Sequence, residues 1–276
     1  MAGGPPAVYG GRAGRAAEPP PGEARRTAPA GGGDTPAGGG GSAVGLRQAE
    51  SRKGENGMYR LFLFDLDGTL VDTSPGILEA LRQLEREMGA EPLPQKTLEK
   101  FVGPPLDWSM ETYYGLDPET AREWSEVYRR IYGQEGGIEN SRLYPYIKET
   151  LALIREKGGR CAVTSLKSHD MVATTLDVYD LSKEFDVLVG RSDRCPTKAD
   201  TIREAMRLLD WQDKSTAVLL GDSRYDGEGA MEAGVDFVPL TYGFGFAEPG
   251  SMDGLACTAV AEKPEDVFRF VQAQFA

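Results

Sequence analysis

The sequence predicts an α/β fold, a parallel sheet core carrying an inserted α-helical cap, and three observations predict it. Short apolar runs recur at 61–64, 160–164, 186–190, 216–221 and 237–240, with helix-like segments between the later ones. Asp65, Thr164 and Asp222 stand at the carboxyl ends of three of these runs, the edge of an open α/β sheet where ligands bind. Residues 90–142, between the first and second runs, carry no strand signal and many aromatic residues in helical surroundings.

Residues 1–57 come first and differ in kind. They hold 16 of the 35 glycines and 7 of the 18 prolines, with almost no aromatic or branched apolar side chain. Such a segment cannot bury enough surface to offset its ordering entropy and is expected to be disordered. It lacks the apolar centre of a secretory signal. Arg12, Arg15, Arg25 and Arg26 suit an organellar transit peptide, but Glu18, Glu23 and Asp34 interrupt the basic pattern. Met58 stands directly before the first strand, where a compact domain would begin, so the leading expectation is an extension from an upstream start.

The core is expected over 58–74 and 143–276, and the cap over 75–142. The run Leu-Phe-Leu-Phe at 61–64 reads as a buried strand, and Gly68 marks the turn after it. Residues 75–89 read as a helix, with Ile77, Leu78, Leu81, Leu84 and Met88 on one face and Thr73 or Ser74 as its cap. Trp108, Tyr113, Tyr114, Trp124, Tyr128 and Tyr132 are expected to form the small core of the cap, although such rings could also stack on a nucleotide base. Phe101 to Leu106, FVGPPL, reads either as a rigid loop facing the site or as a simple turn between helices. Further helices are expected at 147–156, 168–182, 198–209 and 226–233. Alternation of this kind implies parallel strands joined by right-handed crossovers.

The chemistry is densest in residues 61–74, LFLFDLDGTLVDTS. Side chains at i and i+2 of an extended segment share a face, so Asp65 and Asp67 can converge on one ligand. Two carboxylates at the end of a buried strand are costly unless a cation meets them, and a hard, oxygen-seeking ion such as magnesium suits them. The same pair sets a carboxylate nucleophile beside a carboxylate able to move a proton. Lys198, in PTKAD, opens a helix where a cation opposes the helix dipole, a placement better explained if an anion lies there.

DLDGT after an apolar strand, Thr164 after a second, Asp222 with Asp226 after another, and Lys198 between them resemble the four ordered motifs of the haloacid dehalogenase (HAD) superfamily of phosphohydrolases. The resemblance covers about residues 58–270 and implies a Rossmann-like, HAD-like core with a helical cap. It implies that Asp65 attacks phosphorus and forms an aspartyl-phosphate, and that Asp67 protonates the leaving group and then activates water. Asp65, Asp67 (through its backbone carbonyl), Asp222 and Asp226 would meet Mg2+, Asp226 through water or by orienting a ligand. Gly68, Thr69, Thr164, Ser165 and Lys198 would contact the phosphoryl group. Ser165-Leu166-Lys167 departs from the Asn-Lys-Pro common in the family, which leaves the local contacts open. His169 is expected to be a helix-start residue rather than a catalyst.

Within the family resembled, dehalogenases lack the second Asp, so the presence of Asp67 implies phosphoryl transfer rather than dehalogenation. The resemblance is closest to phosphoglycolate phosphatase-like members of the family, and it implies a magnesium-dependent phosphatase acting on a small, phosphoglycolate-like phosphomonoester. A 5′-nucleotidase, a pyrophosphatase or a non-catalytic phospho-ligand-binding relative are the alternatives. With 31 Lys/Arg against 43 Asp/Glu overall, and 7 and 5 of these in the first 57 residues, the rest of the chain has a net charge of −14. Such a surface disfavours nucleic acid polymers and anionic membranes, and the expected partner is a small phosphorylated metabolite. No apolar stretch reaches spanning length. Cys161, Cys195 and Cys257 show no framework or ligand spacing, which fits a reducing, cytoplasmic compartment. A homodimer is left open.

Overall fold

The computed structural model describes residues 58–134 and 136–276. The expected disorder of residues 1–57 lies outside the described residues. In chain order the elements are β1 (Leu61–Phe64), β2 (Val71–Asp72), α1 (Ser74–Met88), α2 (Gln95–Leu98), α3 (Leu106–Tyr114), α4 (Pro118–Gln134) and β3 (Arg142–Leu143). After these come α5 (Ile147–Glu156), β4 (Arg160–Ser168), α6 (His169–Asp177), β5 (Val187–Arg191), α7 (Lys198–Leu208), β6 (Ala217–Gly221), α8 (Arg224–Ala233), β7 (Asp236–Pro239) and α9 (Pro264–Ala273).

Five parallel strands form one sheet in the order β5-β4-β1-β6-β7. Alternation along β1 explains why all four of its residues are apolar. Phe62 and Phe64 face one side with Val163, Val218, Leu220 and residues of α5, α6 and α9. Leu61 and Leu63 face the other with Ala162, Leu219 and residues of α7 and α8. A parallel strand covered on both faces reads as a continuous apolar run, and each such buried side chain contributes about 1.5–3 kcal/mol. The chain runs from β1 to one side of the sheet and later returns to the other. The switch point therefore lies between β1 and β6, where an open crevice forms at the carboxyl ends.

Between β2 and β3, which pair antiparallel, the chain is helical. Its apolar residues form a separate cluster, with Ile77, Leu81 and Leu84 of α1 packed on Met110 of α3 and Tyr128, Ile131 and Tyr132 of α4. Tyr113, Tyr114 and Trp124 pack against this cluster, and Trp108 sits edge-on to Tyr113.

Several elements differ from expectation at their ends. The helix expected at 168–182 stops at Asp177, and the chain turns through Asp180, which takes a left-handed φ of 59°. β4 runs four residues further than expected, with a register shift against β5 between Thr164 and Ser168. α9 is an additional helix, opened by Pro264 and two acidic residues. Among the described residues no helix is long and apolar enough to cross a membrane.

Candidate active site

Asp65 lies immediately after β1, and its backbone N–H donates to the Leu220 carbonyl of β6. The side chain is buried and meets Lys198, the first residue of α7. The Lys198 ammonium is 2.6 Å from Asp65 Oδ1 and 2.6 Å from Asp226 Oδ1, and it donates to the Thr164 carbonyl at 2.5 Å. The cation at this helix start is thus met by two carboxylates, which outweigh the opposing dipole. Burial alone would lower the Lys198 pKa, but Asp226 and Asp65 raise it, so the ammonium stays charged.

Asp222 follows β6 and is buried, with Oδ2 accepting the Phe244 N–H at 2.6 Å. Its space exists because Gly68 and Gly243 have no side chain. Gly68 takes φ 78°, and a Cβ there would come within 2.2 Å of Asp222 Oδ2. Asp226 sits in the first turn of α8. Its Oδ2 accepts the Ser223 N–H at 3.0 Å and the Ser223 hydroxyl at 2.6 Å, closing a capping box, while Oδ1 faces Lys198.

Asp65, Asp222 and Asp226 bring carboxylate oxygens within 4.8 Å of one another. Burial, and then the charges of Asp226 and Asp67, push the Asp65 carboxyl up to about 7 against the pull of Lys198. Burial and the charges of Asp226 and Asp65 hold Asp222 well above the carboxylate range. Ionised together, three buried carboxylates beside a single ammonium would carry excess negative charge, which is why Asp65 and Asp222 hold their protons more tightly than usual. That donor set and cradle fit a hard divalent cation.

Asp67 turns away from Lys198 to a second cation. Its Oδ1 accepts from Lys167 Nζ at 2.6 Å and from the Thr73 hydroxyl at 2.6 Å. Thr73 holds the N-cap position of α1 but spends its hydroxyl on Asp67 rather than on the helix. Lys167 also lies 4.9 Å above the ring of Tyr132 on α4, so it joins Asp67 to the helical insertion.

A small recess is lined by Asp65, Asp67, Ser165, Ser223 and Asp226. Asp67, Gly103, Leu166 and Lys167 also line a cavity of about 490 Å³ that continues under the helices, past Phe101, Tyr128, Arg129 and Arg191. FVGPPL thus faces the site, with Phe101, Gly103, Pro104 and Leu106 on the cavity wall.

Of the residues read from the sequence, the structure gathers Asp65, Lys198, Asp222, Asp226 and the Thr164 carbonyl around one point, with Asp67 and Ser165 on the recess wall. Gly68 packs against Asp222. The hydroxyls of Thr69 and Thr164 are buried without a protein partner, and neither residue lines the recess. His169 opens α6 and is exposed. Lys167 is the residue that sequence reasoning missed. Its signal was the departure Ser-Leu-Lys after Thr164, in the stretch where β4 shifts register against β5.

A family model described as haloacid dehalogenase-like hydrolase matches residues 62–240. The chain is 32% identical over 209 residues to a plasmid-borne phosphoglycolate phosphatase of Cupriavidus necator, covering 74% of this chain and 89% of that protein. It is 33% identical over 192 residues to the tyrosine-protein kinase PtkA of Mycobacterium tuberculosis, covering 68% of this chain and 64% of that one. Among solved structures, a haloacid dehalogenase-like family hydrolase of Streptococcus pneumoniae superposes with a TM-score of 0.70 at 30% identity, over 77% of this chain and 98% of that one.

Proposed function

The chain belongs to the haloacid dehalogenase-like hydrolase family, and from that premise we propose that it is a magnesium-dependent phosphatase of small, phosphoglycolate-like phosphomonoesters. The observation that carries this reading is the division of labour between two aspartates two residues apart. Asp65 is buried against Lys198, while Asp67 is held at the cavity wall by Lys167 and Thr73.

In the proposed reaction Asp65 Oδ attacks phosphorus, and the bond from phosphorus to the leaving oxygen breaks. Asp67 gives its proton to that oxygen and leaves an aspartyl-phosphate on Asp65. Asp67 then takes a proton from water, which attacks phosphorus, releases phosphate and restores Asp65. Lys198 keeps its charge throughout and holds Asp65 in place. Ser165 and the backbone N–H groups at the recess would meet the phosphoryl oxygens. Asp65, Asp222 and the Asp67 carbonyl would hold Mg2+, with Asp226 supporting the site through Lys198 and bound water, because both its oxygens are engaged. When bound, the ion supplies neutralising charge for the phosphoryl oxygens. The cavity excludes water from the first step, and the helical insertion over it would move to admit water for the second.

The test is phosphate release, with and without Mg2+, from phosphoglycolate, nucleoside 5′-monophosphates and pyrophosphate. Release that needs Mg2+, prefers phosphoglycolate and falls at least about 1,000-fold in Asp65→Asn is expected. A preference for a nucleotide or pyrophosphate would replace the substrate reading. No release from any of them, or labelling of tyrosine from ATP in its place, would overturn the phosphatase.

A further inference from the structure

Away from the aspartates, the 490 Å³ cavity is lined by two arginines that share one carboxylate. Arg129 of α4 reaches Asp107 Oδ1 at 3.1 Å, and Arg191, the last residue of β5, lies 4.0 Å from Asp107 Oδ2. Asp107 belongs to the first turn of α3, so the cluster spans the helical insertion and the sheet. Two guanidinium groups meet one carboxylate here, in a chain whose net charge is −12. Asp193 also lines the cavity but stands exposed on the loop after β5.

We propose that Arg129 and Arg191 select substrates that carry a carboxylate a few bonds from the phosphate, and that Asp107 stands in for that carboxylate in the free protein. The proposal rests on the phosphatase reading above for the position of the phosphoryl group. With phosphorus at Asp65, the rest of a small ester would run past Asp67, Gly103, Leu166 and Lys167, which line both recess and cavity, toward the space that the two guanidinium groups also line. Guanidinium forks match planar carboxylates. The three side chains remain partly solvated, and exposed ion pairs are weak, so exchange of Asp107 for a ligand carboxylate costs little. A neutral tail would leave the arginines on Asp107 and gain nothing from them.

Binding separates this from catalysis. In Asp65→Asn protein with Mg2+, calorimetry compares phosphoglycolate with ethyl phosphate, a phosphomonoester with a neutral tail of similar size. Phosphoglycolate is expected to bind at least tenfold tighter, and that preference to collapse when Arg129→Gln or Arg191→Gln is added. Arg191→Lys should retain part of it, and Asp107→Asn should enlarge it. Ethyl phosphate binding reports that each variant is folded. Equal binding of the two ligands, or a preference that survives both Gln substitutions, overturns the proposal. A preference lost as expected in a protein whose wild type releases no phosphate would leave the carboxylate site standing and remove the phosphatase reading alone.

Discussion

Lys198 Nζ stands 2.6 Å from Asp65 Oδ1 while the same ammonium stands 2.6 Å from Asp226 Oδ1, so one buried cation ties the end of β1 to the start of α8. Removing one partner of a buried ion pair leaves uncompensated charge, at a cost of about 3–5 kcal/mol. Lys198→Met is therefore expected to unfold at lower urea than wild type, with the larger loss at pH 8, where Asp65 is ionised. It should also lower kcat by about two to three orders of magnitude, because preorganised charge at the proposed nucleophile is gone. An unchanged urea midpoint at pH 8 would show that Lys198 does not hold these elements together.

Asp67 depends on a different pair of donors. Lys167 and the Thr73 hydroxyl both reach its Oδ1 at 2.6 Å and fix the carboxylate that the proposed reaction uses to move a proton. Lys167→Met is expected to lower kcat about 10- to 100-fold with a smaller change in KM, below the full worth of a general acid because Asp67 itself remains. Thr73→Val should do less, and the double variant should lose less than the sum of the two, since both donors serve one oxygen. Strict additivity in kcat would argue that they act separately.

How much of this was legible follows from where the information sits. Asp65 and Asp67 were readable because an apolar run, two carboxylates and Gly68 are contiguous, and the strand period fixes which side chains share a face. Lys198 and Asp222 were readable as charges at the ends of short elements. Asp226 was placed at a helix start, whereas it is the third residue of α8, because Ser223 and Asp226 close a capping box two residues earlier. α9 carried a fair signal in Pro264, Glu265 and Asp266 ahead of Val267 and Val271, and its apolar face completes the cluster under Phe62. Ser-Leu-Lys after Thr164 marked Lys167 as a departure, but its contact with Asp67, 100 residues away in the chain, was not legible. Asp107, Arg129 and Arg191 come from three elements distant in sequence, and only the packing of the helices over the sheet brings them together.

Gly243 gives the Asp222 position a steric test. A Cβ there would lie 2.3 Å from Asp222 Cβ and 2.4 Å from its Oδ2, closer than packed atoms approach, so the carboxylate must shift. Gly243→Ala is expected to raise the Mg2+ concentration needed for half-maximal activity at least tenfold, while destabilising the protein by about 1–3 kcal/mol as overpacking does. Magnesium titrations of phosphate release, set beside urea unfolding, separate the two effects. A variant with ordinary magnesium dependence would remove Asp222 from the proposed ligands of the ion.

The raised carboxyls of Asp65 and Asp222 make the metal-free protein sensitive to pH in a defined direction. Asp65 has a folded value of about 7 against an ordinary 3.8, so between these limits the folded state holds a proton that the unfolded chain releases. The unfolded state then binds fewer protons, and stability falls as pH rises. This contribution is fully present below about pH 3.8 and is lost as pH passes through about 7; Asp222, raised by the same burial, adds to it in the same sense. Without metal, thermal unfolding should therefore occur at a lower temperature at pH 8 than at pH 5.5. A divalent cation binds the ionised carboxylates of the folded state, so Mg2+ should raise the midpoint more at pH 8 than at pH 5.5 and narrow the difference. Asp65→Asn, which cannot ionise, should show a smaller pH difference than wild type in chelator. A midpoint that does not fall from pH 5.5 to pH 8 in chelator would mean that the folded state holds no extra proton on these carboxylates over that range.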